Sequence, residues 1–339
     1  MRRFLIAGTA IMILGLISEG ADRPTIKEMS EAEDQLRKFV PSLSAVEERF
    51  PNDIQVLLGL ARIYKSYAPS FDYWDRSKQL YRKAVELDPK NKAAHAAMAM
   101  KFVVDFLGQR QGVLLSLELQ REYAKENNLQ EVEIPTWDAL YKWLREEGHQ
   151  RVVIRDFNEA RARICEKLDQ GLPEVISDLE KAEKIDPENA LYNYLRASLN
   201  FELGKDADGL KEVEQGSEKP YLNNYYIEIA SARRRVLQEG GFPEHYREII
   251  ENMQTYLGGL PSYDKLIEIA KQQGTNQDPK KASRICEVLI RLAEQVRQEP
   301  VPGKPGGKRG ENEFSRRIEK EAKQQLAKIQ TRLQDNGAP

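Results

Sequence analysis

Only two cysteines, Cys165 and Cys286, occur in 339 residues. They are 121 positions apart, and each falls inside an apolar helical pattern. That excludes a disulfide scaffold and favours two small packed side chains over a bridge. Histidine is equally sparse. His95, His149 and His245 are far apart, and none belongs to a metal-spaced cluster such as HExxH or CxxC. His95 reads as a satisfied core residue. An excess of either charge is also lacking: 52 Lys and Arg stand against 54 Asp and Glu, for a net charge of −2. A nucleic-acid binder needs a concentrated basic face. The densest basic run, Arg233-Arg234-Arg235, reads instead as a solvated helix face.

Phosphate loops and nucleophile elbows are missing too. Gly303-Lys304-Pro305-Gly306-Gly307-Lys308-Arg309 has the look of a phosphate loop, but Pro302 and Arg309 occupy the places that need Gly and Ser or Thr. The expected inventory is therefore no catalytic residue, no cofactor and no metal, and the chain is read as a non-enzyme. Long hydrophobic runs are confined to one place. Arg2-Arg3 precedes Phe4 to Ile17, fourteen residues without charge, then Ser18-Glu19-Gly20-Ala21. A basic start, a short apolar stretch and small residues are the parts of a secretory signal. A bilayer span needs about 20 apolar residues. Residues 1–20 are thus expected to be a signal peptide cleaved near Gly20, or an N-terminal anchor through residues 4–17. Either way the remainder is expected outside the cytoplasm, in the periplasm or cell envelope, with membrane contact only through that segment if it is uncleaved.

What is present is charge and helix. Charged residues are 31% and hydrophobic ones 40% of the chain, and mean hydropathy is −0.64. These values suit a thin stack of helices that each expose a charged face. Thr25-Ile26-Lys27-Glu28 reads as a capping box opening a helix to about Phe39. Ser44 opens another, stopped at Phe50-Pro51, and Asn52 or Asp53 caps a third through about Tyr67. Further helices are expected over Leu172–Ile185, Ala190–Leu203, from near Asp208, and over Tyr221–Glu239, Pro243–Leu257, Ser262–Gln273 and Pro279–Gln298. Gly204, Gly240-Gly241, Gly258-Gly259 and Gly274 supply the stops.

The informative comparison is internal. Tyr81 to Asn91 aligns with Leu179 to Asn189, with five of eleven positions identical and Asp-Pro-x-Asn at the end of both. Pro89 and Pro187 are 98 residues apart, close to three periods of roughly 34. Leu57, Leu60, Ala61 and Tyr64 precede Ser77, Tyr81, Ala84 and Pro89. His95, Met98, Ala99 and Phe102 begin another unit, and Val175, Leu179, Ala182 and Pro187 end one. Ala197, Gly209, Val213 and Gly216 follow in the third. Helices that cross closely need such small residues at the contact.

These residues resemble the tetratricopeptide repeat family in divergent form. Arg196 and Asn200 replace apolar residues of its pattern, and its first-helix Trp is absent. The resemblance implies an all-α fold of antiparallel helix pairs stacked as an α-solenoid. The repeat domain would run over 24–298, with an irregular insertion at about 104–156, a Pro/Gly-rich linker at 299–311 and a charged C-terminal helix at 312–335. That helix has few apolar anchors, so it would either dock on the body or wait for a partner. The resemblance further implies a concave groove that holds a protein or peptide ligand. Gln55, Arg62 and Lys65, then Ala96 and Met100, then Tyr194, Ser198 and Glu202 would line it.

Two other readings stay open on the residues alone. Trp137, Tyr141 and Trp143 could serve a carbohydrate or cell-wall binding module. An enzyme could carry its site in the 104–156 insertion, with Trp143 or Asp156 involved. Within the insertion, Glu131 to Ile134 and Val152 to Ile154 read as extended. Tyr67, Phe71, Tyr73 and Trp74 crowd the turn of the first helix pair, as contact surface or local packing.

Overall fold

Thr25 starts the first helix as its capping pattern requires. Its Oγ accepts the Glu28 N–H at 3.2 Å, while Glu28 Oε2 accepts the Thr25 N–H at 2.7 Å. The computed structural model describes residues 25–67, 72–126, 131–132, 153–154, 162, 165–166, 169–252, 263–276, 278–298 and 313–335. The signal or anchor segment, the 299–311 linker, Trp137, Tyr141, Trp143, His149, Asp156 and Gly258-Gly259 lie outside the described residues.

Helix α1 (Ile26–Phe39) runs into a 3-10 turn, Val40–Leu43, with Pro41 near its start. Then come α2 (Ser44–Arg49) and α3 (Ile54–Tyr67). Asp53 caps α3, accepting the N–H groups of Gln55 and Val56 at 3.0 and 3.3 Å. Helices α4 (Asp72–Leu87) and α5 (Lys92–Glu126) follow. Gly108 does not interrupt α5, because one glycine in a helix interior costs only about 1 kcal/mol. Two short strands, β1 (Glu131–Val132) and β2 (Val153–Ile154), pair in parallel where the sequence alternates. The remaining helices are α6 (Leu172–Ile185), α7 (Leu191–Glu202), α8 (Asp206–Glu218), α9 (Tyr226–Glu239), α10 (Glu244–Asn252), α11 (Tyr263–Asn276), α12 (Pro279–Gln298) and α13 (Glu313–Asp335). The protein is all-α.

The chain divides into two compact units, one of residues 1–100 and 180–339, the other of 101–179. In the smaller unit, buried Lys101 pairs with Asp105 one turn on, and Arg110 pairs with Asp169.

In the larger unit α3 packs on α4, α7 on α8, α8 on α12, and α12 on both α11 and α13. Helix α3 also packs on α9, and α1 on α10, so its contacts are not confined to sequence neighbours. The crossing of α3 and α9 is set by Gly59, where a Cβ would lie 2.3 Å from the Ala232 carbonyl oxygen. Ser77 donates its hydroxyl to the Ala61 carbonyl at 2.7 Å, joining α4 to α3 through two of the small repeat residues. Gly204 closes α7 with φ +72°. The N–H groups of Gly204 and Lys205 return to the carbonyls of Phe201 and Asn200, a Schellman turn that favours glycine. Gly241 closes α9 in the same way.

Several expectations need correction. The helix expected from Tyr221 begins at Tyr226, because the intervening residues pair with a turn described below. Helix α11 runs through Gly274 to Asn276. The Arg233-Arg234-Arg235 run is not a solvated face. Arg233 is buried beneath α10, with Nη2 3.4 Å from the Ile250 carbonyl, and Arg235 grips the Asp53 carboxylate at 2.7 and 3.2 Å. Only Arg234 is exposed. Of the two courses expected for it, helix α13 takes docking on the body, burying Ile318, Ala322 and Ile329, with Arg297 of α12 paired to Glu319. Among the described residues no helix is long and apolar enough to cross a membrane.

Candidate functional site

The repeated Asp-Pro-x-Asn sequence folds twice into one turn. In the first copy the Asn91 N–H donates to the Asp88 carbonyl at 3.0 Å, and Asn91 Nδ2 donates to Asp88 Oδ2 at 3.4 Å. In the second the Asn189 N–H reaches the Asp186 carbonyl at 3.2 Å, and Asn189 Nδ2 reaches Asp186 Oδ2 at 3.0 Å. The asparagine oxygen then starts the next helix, accepting from Ala94 N–H at 2.9 Å in one copy and Leu191 N–H at 3.1 Å in the other. Side-chain acceptors of this kind satisfy the free N–H groups of a helix start.

The copies differ in their surroundings. Asp88 is half-buried, whereas Asp186 is fully buried. Four donors converge on the Asp186 carboxylate: Lys92 Nζ at 2.7 Å, the Tyr221 and Tyr225 hydroxyls at 2.5 and 2.6 Å, and Asn189 Nδ2. The two tyrosines come from the 221–225 segment, which is laced to the turn. Ala190 N–H donates to the Tyr221 carbonyl at 2.8 Å, and the Asn189 amide exchanges bonds with the Asn223 backbone at 2.7 and 3.0 Å. Tyr225 takes φ 55°, a left-handed conformation that tyrosine adopts at a cost. That conformation accompanies the Tyr225 hydroxyl bond to Asp186.

Burial alone would raise the Asp186 carboxyl, but the bonds from Lys92, Tyr221, Tyr225 and Asn189 outweigh it and hold it below the ordinary aspartate range. Burial and the bond to this carboxylate push the Tyr225 and Tyr221 phenols up. The Lys92 ammonium is likewise held charged, chiefly by its bond to Asp186. An anion satisfied by four donors and closed to solvent is a fastening rather than an acid–base group.

Beside it, Arg196 spans three helices. Its guanidinium meets Glu183 of α6 at 2.7 Å and Glu212 of α8 at 3.2 Å, and Lys219 also reaches Glu183 at 2.7 Å. Burial opposes the Glu183 charge, but Lys219 and Arg196 keep its carboxyl below the ordinary range. An ion-pair network therefore stands where the repeat pattern has an apolar residue.

The expected groove residues fall into two groups. Gln55 is exposed, and Arg62, Lys65, Met100 and Glu202 are half-buried. Tyr194 and Ser198 are buried one turn apart on α7. The Tyr194 hydroxyl donates to Gln295 Oε1 of α12 at 2.5 Å, and the Ser198 hydroxyl donates to the Tyr194 carbonyl at 3.0 Å. Gln295 Nε2 in turn reaches the Gly216 and Lys219 carbonyls at 3.1 and 2.9 Å. Gln295 of α12 thus closes over the Tyr194 hydroxyl, and Ala96 is buried as well.

Sequence reasoning passed over Lys92, Tyr221, Tyr225 and Gln295. Their partners are far along the chain, and no local pattern announces them. His95 is buried with Nε2 3.0 Å from the Pro89 carbonyl. Cys165 and Cys286 are free thiols, and burial pushes the Cys286 thiol up to about 11. Among the described residues no group of His, Cys, Asp and Glu is arranged to hold a metal. Compared with protein-family models and with curated proteins, the chain matches none.

Proposed function

We propose that this protein is an exported scaffold of tetratricopeptide-like helix pairs, stacked as an α-solenoid, that binds a protein or peptide segment in the cell envelope. The observation that carries the reading is the recurrence of one turn. Asp88 to Asn91 and Asp186 to Asn189 share backbone and side-chain bonds, and each launches a helix. A turn repeated in this way aligns successive helices, and stacked helices make an extended surface suited to another chain. Further support comes from the small residues at the crossings, Ser77 against Ala61 and Gly216 against the Tyr194 ring. Because Tyr194 and Ser198 are buried, the binding role falls to Gln55, Arg62, Lys65, Met100 and Glu202.

Crosslinking and pull-down of the full chain from its native envelope tests the reading. The wild type should recover a defined protein partner, and an Arg62→Glu, Lys65→Glu double variant should lose it. Recovery of no partner above background, or recovery indifferent to the charge reversal, overturns the binding role. Export is tested separately by N-terminal sequencing, which should find the mature chain beginning near Ala21 or the chain retained in the membrane fraction.

A further inference from the structure

Helix α2, the Pro51 corner and the α3–α4 pair enclose a cleft of about 510 Å³, a size typical of small-ligand sites. Tyr64 and Tyr73 form an aromatic wall, their ring centroids 5.2 Å apart and their planes tilted by 47°. Across from them Arg76 engages three of its five N–H donors. Its Nε and Nη2 donate to the Glu47 carboxylate, and Nη1 donates to Gln79 Oε1 at 3.0 Å. The Arg76 charge is thereby paired with Glu47, and the Glu47 charge is neutralised. Glu48 also lines the cleft; it is exposed and makes no ion pair among the described residues. Two carboxylates against one guanidinium leave one uncompensated negative charge beside two aromatic rings.

We propose that this cleft receives a cationic side chain, lysine or arginine, from a partner peptide, its alkyl stem against Tyr64 and Tyr73 and its charged head toward Glu48. Aromatic faces attract cations, and long basic side chains cover apolar surface while their heads stay in water. An uncharged side chain of equal length gains only the burial, and an acidic one meets Glu48. The pocket therefore selects by charge. The proposal rests on the peptide-binding reading above in that a peptide presents the cation, but it places the contact on a different surface from the groove.

The test uses the full chain and four fluorescently labelled glycine pentapeptide amides, each with one central residue: arginine, lysine, norleucine or glutamate. Fluorescence anisotropy should show saturable binding of the arginine and lysine peptides, about fivefold or more tighter than norleucine, with glutamate weakest. Salt should reduce the preference. Glu48→Lys, on an exposed helix position, should abolish the preference without moving the melting temperature, and Tyr73→Ala should weaken both cationic peptides. No saturable binding of the arginine peptide, equal affinity for norleucine, or a preference that survives Glu48→Lys overturns the pocket. Those outcomes leave the Arg62 and Lys65 crosslinking result as it stands, so the two readings fail separately.

Discussion

The Lys92 ammonium, at the start of α5, lies 2.7 Å from the Asp186 carboxylate 94 positions later. It ties the helix that follows one repeated turn to the aspartate of the other. The two ends of this bond are unequal, since the Lys92 side chain is 49% exposed and that of Asp186 is 0% exposed.

This inequality predicts unequal mutational costs. Asp186→Ala strips the acceptor from the buried Tyr225 hydroxyl and the half-buried Tyr221 hydroxyl and leaves the Asn189 amide only the Asn223 carbonyl; a buried donor orphaned in this way costs about 1–3 kcal/mol. Lys92→Met removes one half-exposed partner and should cost under about 1 kcal/mol. Urea unfolding of both variants measures the difference. Equal losses would show that Asp186 is not the centre of the network.

The same carboxylate shapes the acid response. Its folded pKa is held below that of the unfolded chain, so its stabilisation is fully present above the unfolded value, near pH 4, and drains away as the pH falls through the folded one. Glu183 behaves likewise. Urea midpoints measured from pH 6 down to pH 2.5 should therefore fall more steeply for wild type than for Asp186→Asn. Parallel curves would contradict the assignment.

Close helix crossings separate two glycines. A Cβ on Gly209 would sit 2.6 Å from Phe201 Cε1, a ring that can turn aside, whereas one on Gly59 would strike the Ala232 carbonyl at 2.3 Å. Alanine gains about 1 kcal/mol of helix propensity at either site. That gain should nearly offset the clash in Gly209→Ala, but not in Gly59→Ala, where two backbones must separate. Gly209→Leu should overpack the crossing and cost about 1–3 kcal/mol. Thermal melts rank the three, and a Gly59→Ala protein as stable as wild type would show that α3 and α9 do not meet there.

Gln295 fastens α12 across the end of α8 and the Tyr194 hydroxyl. Gln295→Leu takes the partner from that hydroxyl and from the Lys219 carbonyl, while the Gly216 carbonyl keeps the Lys219 N–H, at a cost of about 1–3 kcal/mol. Hydrogen exchange should accelerate in α12 and α13 ahead of α3 and α4. Uniform acceleration would mean that the two regions open as one.

Much of the helical layout is legible in the chain because its causes are local. Thr25 and Glu28 close their box within one turn, and Asp53 reaches its N–H groups two and three residues on. Gly204 ends α7 through its own φ. Repetition of Asp-Pro-x-Asn marked the turns for the same reason, since aspartate and asparagine bond to each other within four residues. The groove residues were read less well. Helical periodicity names a face, but whether water or α12 covers that face at Tyr194 depends on a residue 101 positions away.

By itself, then, the sequence determined the helical class, most helix starts and stops, and a turn used twice, all consequences of interactions spanning a few residues. Tertiary structure alone decided that Asp186 is fully buried and Asp88 only half-buried. It also made Arg233 a core residue, set α3 against α9 at Gly59, and left a carboxylate beside Tyr64 and Tyr73. The physical reason is desolvation. The same Asp-Pro-x-Asn turn can be solvated or closed off, and only the long-range packing of Lys92, Tyr221 and Tyr225 removes the water and supplies the donors that replace it.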